Sequence, residues 1–384
     1  MTKRDWANLL IDLVVRIGFI LLADDVTEFV RFRAVCHSWR SCTPNPKDLD
    51  GRFHPRKWIM YSSLDFPATA AFDFVNLSTG KKLLVDLTEL RCGYSLIYVV
   101  DGLCLLENNR THTLALLNPF TRFLTHLPNQ VRHNSRQFPF VLEHTPDSTL
   151  SGVYISSSSM IVLRFDIDDE EDSIHLVYAK PTDSVWRAID IEIMPSDSFL
   201  YRDQFYMIDP IEGLIRINLH HEKNSQTQVT DVVVPCDRDF MDLDDCYLVE
   251  CDGKFIMVTE IYDSPGPGHH QLFRIDLEER KLVAIECIDG YALYLATQRS
   301  LSICCKSFCC AHDNCIYFCK QSHGCELMIV VDLKSDRFQS KLASTPEDQP
   351  NRCSLAQDMV PYQNSRWPRG GGHRNRDGDR GTEL

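Results

Sequence analysis

Three groups of side chains have the types and spacing to do chemistry. Cys304, Cys305, Cys309, Cys310, Cys315, Cys319 and Cys325, with His312 and His323, could offer thiolate and imidazole ligands to zinc. In Cys315-Ile-Tyr-Phe-Cys319, however, alternation puts Cys315, Tyr317 and Cys319 on one strand face and Ile316 and Phe318 on the other. There cysteine acts as a small hydrophobe, and no metal is expected. The acidic run Asp166, Asp168, Asp169, Glu170, Glu171, Asp172 could hold calcium, but it lacks the glycine and distal glutamate of an EF-hand loop. A solvated loop between strands is the expectation. Arg366, Arg369, Arg374, Arg376 and Arg380 near the C-terminus could touch phosphates, though Asp377, Asp379 and Glu383 dilute them. No nucleophile elbow, phosphate loop or zincin helix is present. No catalytic residue and no cofactor are therefore named, and the chain is not expected to be an enzyme.

Composition narrows the classes further. The chain has 384 residues, 44% of them hydrophobic, and a net charge of −14. Such a charge excludes a general nucleic-acid binder, which needs a basic surface. Sixteen cysteines in a long chain, irregularly spaced, do not read as a disulfide framework. They fit a reducing compartment, so cytoplasm and/or nucleus is expected rather than secretion. The apolar run from Leu9 to Ala23 is interrupted by Asp12 and Arg16 and is shorter than the ~20 residues of a spanning helix. Neither a membrane segment nor a signal peptide is expected, and the sequons at Asn76 and Asn109 carry no weight.

The elements that must position any site divide into two kinds. Residues 5–42 read as helices, with Trp6, Leu9, Leu10, Leu13, Val14, Ile17 and Leu21 on one face. Asp25 and Glu28 predict a capping box opening a second amphipathic segment with Phe29, Phe32, Val35, Cys36 and Trp39. Gly18 predicts a weak point of roughly 1 kcal/mol inside the first helix. Residues 43–56 hold three prolines and read as a linker.

From 57 to 343 the pattern is β. Leu96–Val100 and Leu103–Glu107 flank a tight Asp101–Gly102 turn, and Tyr247–Cys251 and Lys254–Thr259 flank Asp252–Gly253. An apolar strand ending in Asn or Asp, a polar turn and a second apolar strand recur at 72–87, 114–127, 215–234, 272–286 and 328–342. A looser copy lies at 175–191. The spacing of roughly 40–60 residues is that of propeller blades. Six copies predict about six blades, with five or seven still open and two β-sandwiches built from the same hairpins as the alternative. Residues 344–384 read as a disordered tail. The fold class is thus α+β by segments, a small all-α module followed by a mainly-β propeller.

Residues 8–42 resemble the F-box. Leu9, Asp12, Leu13, Ile17, Phe32, Arg33, Val35, Cys36, Ser38, Trp39 and Arg40 stand where its pattern puts them, and Arg33-Ala-Val-Cys-His-Ser-Trp-Arg40 is its most specific part. Leu10 replaces the usual proline, which predicts a looser first turn. The β region resembles the propeller-like C-terminal domain of plant F-box proteins, on 116–122 (LLNPFTR) with a following Leu-Pro, 185–187 (VWR), 289–303 and 314–318.

The resemblance implies a substrate-recognition subunit of a Skp–cullin–F-box ubiquitin ligase, which does no chemistry itself. A Skp-type adaptor, and through it a cullin and a RING protein, would dock on Leu9, Leu10, Leu13, Val14, Ile17, Leu21, Phe29, Arg33, Val35, Cys36 and Trp39, with Trp39 also internal core. A target protein of unknown identity would bind the propeller. Turn chemistry points to loops near Asp101, Gly102, Pro265, His269 and Arg299, expected to line one mouth. The alternative is a non-ligase propeller interaction protein with a degenerate box.

Overall fold

Asn or Asp at the end of an apolar strand turns the chain because its side-chain oxygen can accept backbone amides two and three residues on. Asn76 accepts from Ser78 and Thr79 (2.9 and 3.1 Å), and Asn118 from Phe120 and Thr121 (3.1 and 3.2 Å). Asp276 accepts from Glu279 at 3.1 Å. Such turns close the recurring units of the sequence into hairpins.

The computed structural model describes residues 6–46, 51–61, 70–133, 136–139, 148–167, 174–191, 196–219, 230–235, 245–261, 269–296, 300–307, 311–322, 325–334 and 337–342. Their strands form six sheets, the blades of a propeller. Blade I holds β1 (Trp58–Tyr61), β2 (Ala71–Asn76) and β3 (Lys82–Asp86), and blade II holds β4 (Tyr94–Val100), β5 (Leu103–Asn108), β6 (Leu114–Asn118) and β7 (Phe123–His126). Blade III is the meander β10 (Ser148–Ile155), β11 (Ile161–Ile167), β12 (Ile174–Ala179) and β13 (Trp186–Ile191). The hairpin of β8 (Gln130–His133) and β9 (Arg136–Pro139) lies on its outer edge. Blade IV runs through β14 (Ser198–Tyr201), β15 (Gln204–Asp209), β16 (Gly213–Ile217) and β17 (Thr230–Pro235). Blade V has β18 (Asp245–Cys251), β19 (Lys254–Ile261), β20 (His269–Asp276) and β21 (Lys281–Ile285). Blade VI has β22 (Tyr291–Leu295), β23 (Leu301–Cys304), β24 (Cys315–Ser322), β25 (Cys325–Asp332) and β26 (Arg337–Leu342). Each of the six recurring sequence units is the closing hairpin of one meander, and the two-sandwich alternative falls.

Apolar clusters fill every seam around the ring. Trp58, Phe74 and Leu106 join blades I and II, while Leu105, Ile155 and Trp186 join II and III. Tyr178 and Met207 join III and IV, Tyr206 and Phe255 join IV and V, and Val258 and Ile316 join V and VI. Val75 against Tyr294 and Tyr317 joins VI back to I, beside a hydrogen bond from Ser307 Oγ to the Ser78 carbonyl (2.5 Å). Each large side chain buried this way contributes roughly 1.5–3 kcal/mol. Strand β24 shows the cost of slipping a register. Cys315 and Tyr317 enter the VI–I seam, and Ile316 and Phe318 enter the V–VI seam. A one-residue shift would exchange the two sets.

Both Asp-Gly turns form as expected, with φ of 50° and 72° at Asp101 and Gly102 and 52° and 70° at Asp252 and Gly253. Arg202 and Asp203 (φ 48° and 61°) make the same reversal without a glycine, a hairpin the turn chemistry does not announce. The tail and most of the acidic run lie outside the described residues.

Candidate functional site

The helical module consists of a short 3-10 turn at Trp6–Asn8, α1 (Ile11–Asp24), α2 (Val26–Arg33) and α3 (His37–Ser41). Leu10 is the N-cap of α1, at φ −55° and ψ 133°. Its carbonyl accepts from Leu13 (3.0 Å) and Val14 (3.1 Å), so the first turn is closed despite the missing proline.

Helix α1 has two apolar faces. Val14, Gly18 and Leu22, four residues apart, are buried against the rest of the module. Leu10, Leu13, Ile17 and Ile20 form a second ridge, 72%, 45%, 38% and 62% exposed. A third face, with Asp12, Val15, Arg16, Phe19, Ile20 and Ala23, lines a shallow groove of about 500 Å³. The Arg52 guanidinium stands over the Phe19 ring at 5.6 Å. Gly18 is more than a weak point: a Cβ there would lie 3.1 Å from the Thr43 methyl and 3.5 Å from both Phe29 and Phe32. Its absence lets α1 approach α2.

Asp25 caps α2, accepting from Thr27 N (2.8 Å) and Thr27 Oγ1 (2.9 Å). The reciprocal half of the expected capping box does not form. The Asp25 amide already donates to the Leu21 carbonyl at 2.7 Å. Glu28 turns instead to Arg31 (2.8 Å) and to Lys81 of the propeller. The Lys81 hydrogen bond, opposed by slight burial, holds the Glu28 carboxyl below its usual range.

The Arg-x-Val-Cys-x-x-Trp residues lock the module from within. Cys36 Sγ accepts from Trp39 N (3.5 Å), and Trp39 stacks on Phe32 at 4.5 Å. Arg33 donates to the Thr43 carbonyl (2.6 Å), Thr43 Oγ1 (2.8 Å) and the Pro44 carbonyl (2.5 Å). Of the eleven residues expected at the adaptor contact, Leu10, Leu13, Ile17 and Val35 are exposed, while Leu9, Leu21, Arg33, Cys36 and Trp39 are half-buried. Val14 and Phe29 must be corrected. They are 1% and 0% exposed, Phe29 against Phe53 at 5.7 Å, and cannot meet a partner while the module is folded. Ile20, on the same ridge, was missed; its seven-residue step from Leu13 was the available signal.

The module is fastened to blades I and II. Trp58 Nε1 donates to Asp25 Oδ1 (2.9 Å), and Lys57 pairs with Asp24 at 3.3 Å. Asn118 Nδ2 donates to the Phe53 carbonyl (2.8 Å). Phe120 lies 4.9 Å from Trp58 and 5.3 Å from Phe74, against the cluster of Leu22, Val26, Phe29 and Phe53. The Asn118-Pro-Phe-Thr-Arg122 patch is thus part of the joint. So is the end of the expected linker, since Phe53 and Pro55 are buried.

The expected single mouth does not assemble. The Asp101–Gly102 turn abuts the Pro55 and Trp58 carbonyls, where a Gly102 Cβ would come within 2.6 and 2.8 Å. Ser157 N donates to Asp203 (2.5 Å) and Tyr201 OH to the Gly253 carbonyl (2.8 Å). The turns after the first meander strand of blades II to V therefore share one face. His269 opens β20, and β19 separates it from Asp252–Gly253 by eight residues, roughly 26 Å of extended chain. Pro265 and Arg299 lie outside the described residues.

Among the described residues no three His, Cys, Asp or Glu side chains come together to hold a metal ion. Burial pushes the thiols of Cys251, Cys305 and Cys315 up to about 11, away from ready thiolate chemistry. Cys309, Cys310 and His323 lie outside the described residues. No described helix is long and apolar enough to cross a membrane.

A curated Arabidopsis thaliana relative, F-box/kelch-repeat protein At1g57790, is 28% identical over 128 residues, 33% of this chain and 33% of its own. The chain therefore matches about a third of that relative's length. Among solved structures, the AfRom2 CNH domain is 11% identical, covering 74% of this chain and 81% of that one with a TM-score of 0.30. A likeness of that size carries no argument. Residues 74–345 match the family model of the KIB1-4 beta-propeller, from within β2 through all the later strands. With that match spanning most of its length, the chain belongs to the KIB1-4 beta-propeller family.

Proposed function

We propose that this chain is the substrate-recognition subunit of a Skp–cullin–F-box ubiquitin ligase. The observation that carries the reading is the bare ridge of Leu10, Leu13, Ile17 and Ile20 on a module whose other face is already packed on the propeller. An apolar ridge left exposed beside a satisfied core calls for a partner. The F-box/kelch name of the Arabidopsis relative supports the same reading. The adaptor binds the ridge, a cullin and a RING protein follow through it, and the propeller holds a target protein. The chain performs no chemistry; it raises the effective concentration of target lysines near the charged conjugating enzyme. Cytoplasm and/or nucleus is the proposed compartment.

The alternative, a propeller regulator with a degenerate box, is favoured only by Leu10. Its φ of −55° lies within the range of proline, and the first turn is closed, which weakens that case. Co-expression of the tagged full chain with Skp adaptor, cullin and RING protein tests the proposal. Recovery of adaptor and cullin together is expected, and loss of both from a Leu13→Asp variant. Recovery of neither with the native chain overturns it in favour of the degenerate box.

A further inference from the structure

The first strands of blades II to V, β4, β10, β14 and β18, neighbour one another around the axis. Blade I has no such strand among the described residues. Its Asn76 turn joins β2 to β3 as the Asn118 and Asp276 turns join third strands to fourth, so β1, β2 and β3 hold the second, third and fourth places. Two arginines agree. Arg280, in the closing turn of blade V, donates to the Val233 carbonyl (3.1 Å) in β17, the outermost strand of blade IV. Arg122 of blade II reaches back in the same way to the Asp86 carbonyl (2.8 Å) at the end of β3. The strands β22 and β23 pair within blade VI and not with β1.

The edge of β1 that faces the open place is unsatisfied. Leu77 N donates to the Lys57 carbonyl (2.6 Å), and with Ile59 opposite Val75 the odd-numbered residues are those bonded to β2. Trp58 and Met60 therefore turn their backbone groups to the other edge. Trp58 N donates to the Pro55 carbonyl (2.8 Å), but the Met60 backbone has no partner among the described residues. Met60 is nevertheless only 1% exposed. Buried backbone groups are rarely left unpaired, so this edge calls for a strand.

Chain order says which strand arrives there. Outermost strands lead to the first strand of the next blade, through 87–93 from β3 to β4, 192–197 from β13 to β14 and 236–244 from β17 to β18. Strand β26 is outermost in blade VI, and blade I is next round the ring. Residues 343–352 make a connection of similar length with prolines at 346 and 350. Cys-Ser-Leu-Ala-Gln-Asp-Met-Val follows at 353–360 and is stopped by Pro361. Alternation gives Cys353, Leu355 and Met359 one face of such a strand.

We propose that residues 353–360 are the first strand of blade I, pairing antiparallel with β1 at Met60 and closing the ring. The segment then leaves the tail expected to be disordered and becomes part of the propeller. The proposal is independent of the ligase reading.

Hydrogen exchange of the full chain, read by mass spectrometry, tests this together with its melting curve. Amides of 353–360 and of Met60 should exchange at least about a hundredfold more slowly than in an unfolded chain. Leu355→Asp and Ala356→Pro should each speed exchange at both places and lower the propeller Tm by several degrees. Asn364→Pro, beyond the segment, should change neither. If the two variants fail to fold, exchange in the native chain carries the test. Fast exchange of 353–360 in the native chain would overturn the proposal. So would variants that leave Met60 and the Tm unchanged, or protection of 353–360 that disappears when a dimer dissociates, which would place the segment on a second copy.

Discussion

In the propeller, both faces of a strand such as β24 disappear into seams, whereas α1 buries one face and leaves another bare. Eight of the ten large hydrophobics exposed among the described residues lie between Trp6 and Val35; only Leu84 and Ile211 belong to the propeller. The propeller satisfies its apolar side chains by closing on itself. The module cannot, because three short helices have too little surface to cover all sides of α1. Joined to blades I and II, it still exposes a ridge, the surface on which adaptor docking is proposed.

The comparison breaks most easily at Phe29. Phe29→Ala should cost about 3–5 kcal/mol, because it empties a site shared by α2, Phe53 and the joint. Calorimetry should show one transition at lower Tm; a separate early transition for the module would mean the two regions do not share a core. Asp25→Ala comes next, at about 2–3 kcal/mol. It removes a helix cap and leaves the buried Trp58 Nε1 without its acceptor. A denaturant midpoint equal to that of the native chain would sink that account.

Within the propeller, Asp197 accepts from Ser198 N (2.7 Å) and from Leu248 N of blade V (2.6 Å). Burial raises its carboxyl to about 7, above the ~3.9 of an unfolded chain. The folded state therefore binds that proton more tightly. The resulting stabilisation is complete below about pH 4 and is lost as pH rises through about 7. Stability should fall relative to Asp197→Asn as pH rises from about 4 to about 7; parallel melting curves across that range would contradict this. The smallest effect is expected at Leu10. Leu10→Pro should stabilise the module by roughly 0.4–1 kcal/mol, since φ −55° suits the ring and the unfolded chain loses freedom. Proteolysis of α1 faster than in the native chain would show that the cap geometry does not tolerate it.

Much of this was legible from local pattern. Asn76, Asn118, Asp276 and Asp332 mark the closing hairpins because their chemistry acts over two or three residues. Asp101–Gly102 works in the same way. Leu10, Leu13 and Ile17 were also legible as contact candidates, but an apolar period on α1 could not tell the ridge from the face carrying Val14. That distinction is made by residues such as Phe29 and Thr43, which lie against Gly18 on the buried face and come from elements further along the chain. That Glu28 does not complete the capping box of α2 turned on a competing bond from the Asp25 amide to the Leu21 carbonyl. The parallel pairings of β8 with β13 and β22 with β24 carried no local signal, since each joins segments separated by other strands or by an irregular connection.

The central claim, that the bare ridge of α1 docks the adaptor, is tested most directly by titrating purified Skp adaptor against the full chain and its Ile17→Asp variant. A charge placed on a desolvated helix face costs several kcal/mol, so the native chain should give a saturable isotherm and the variant none, with both retaining the same propeller melting transition. Equal binding by the two proteins, or no binding by the native chain, would contradict it.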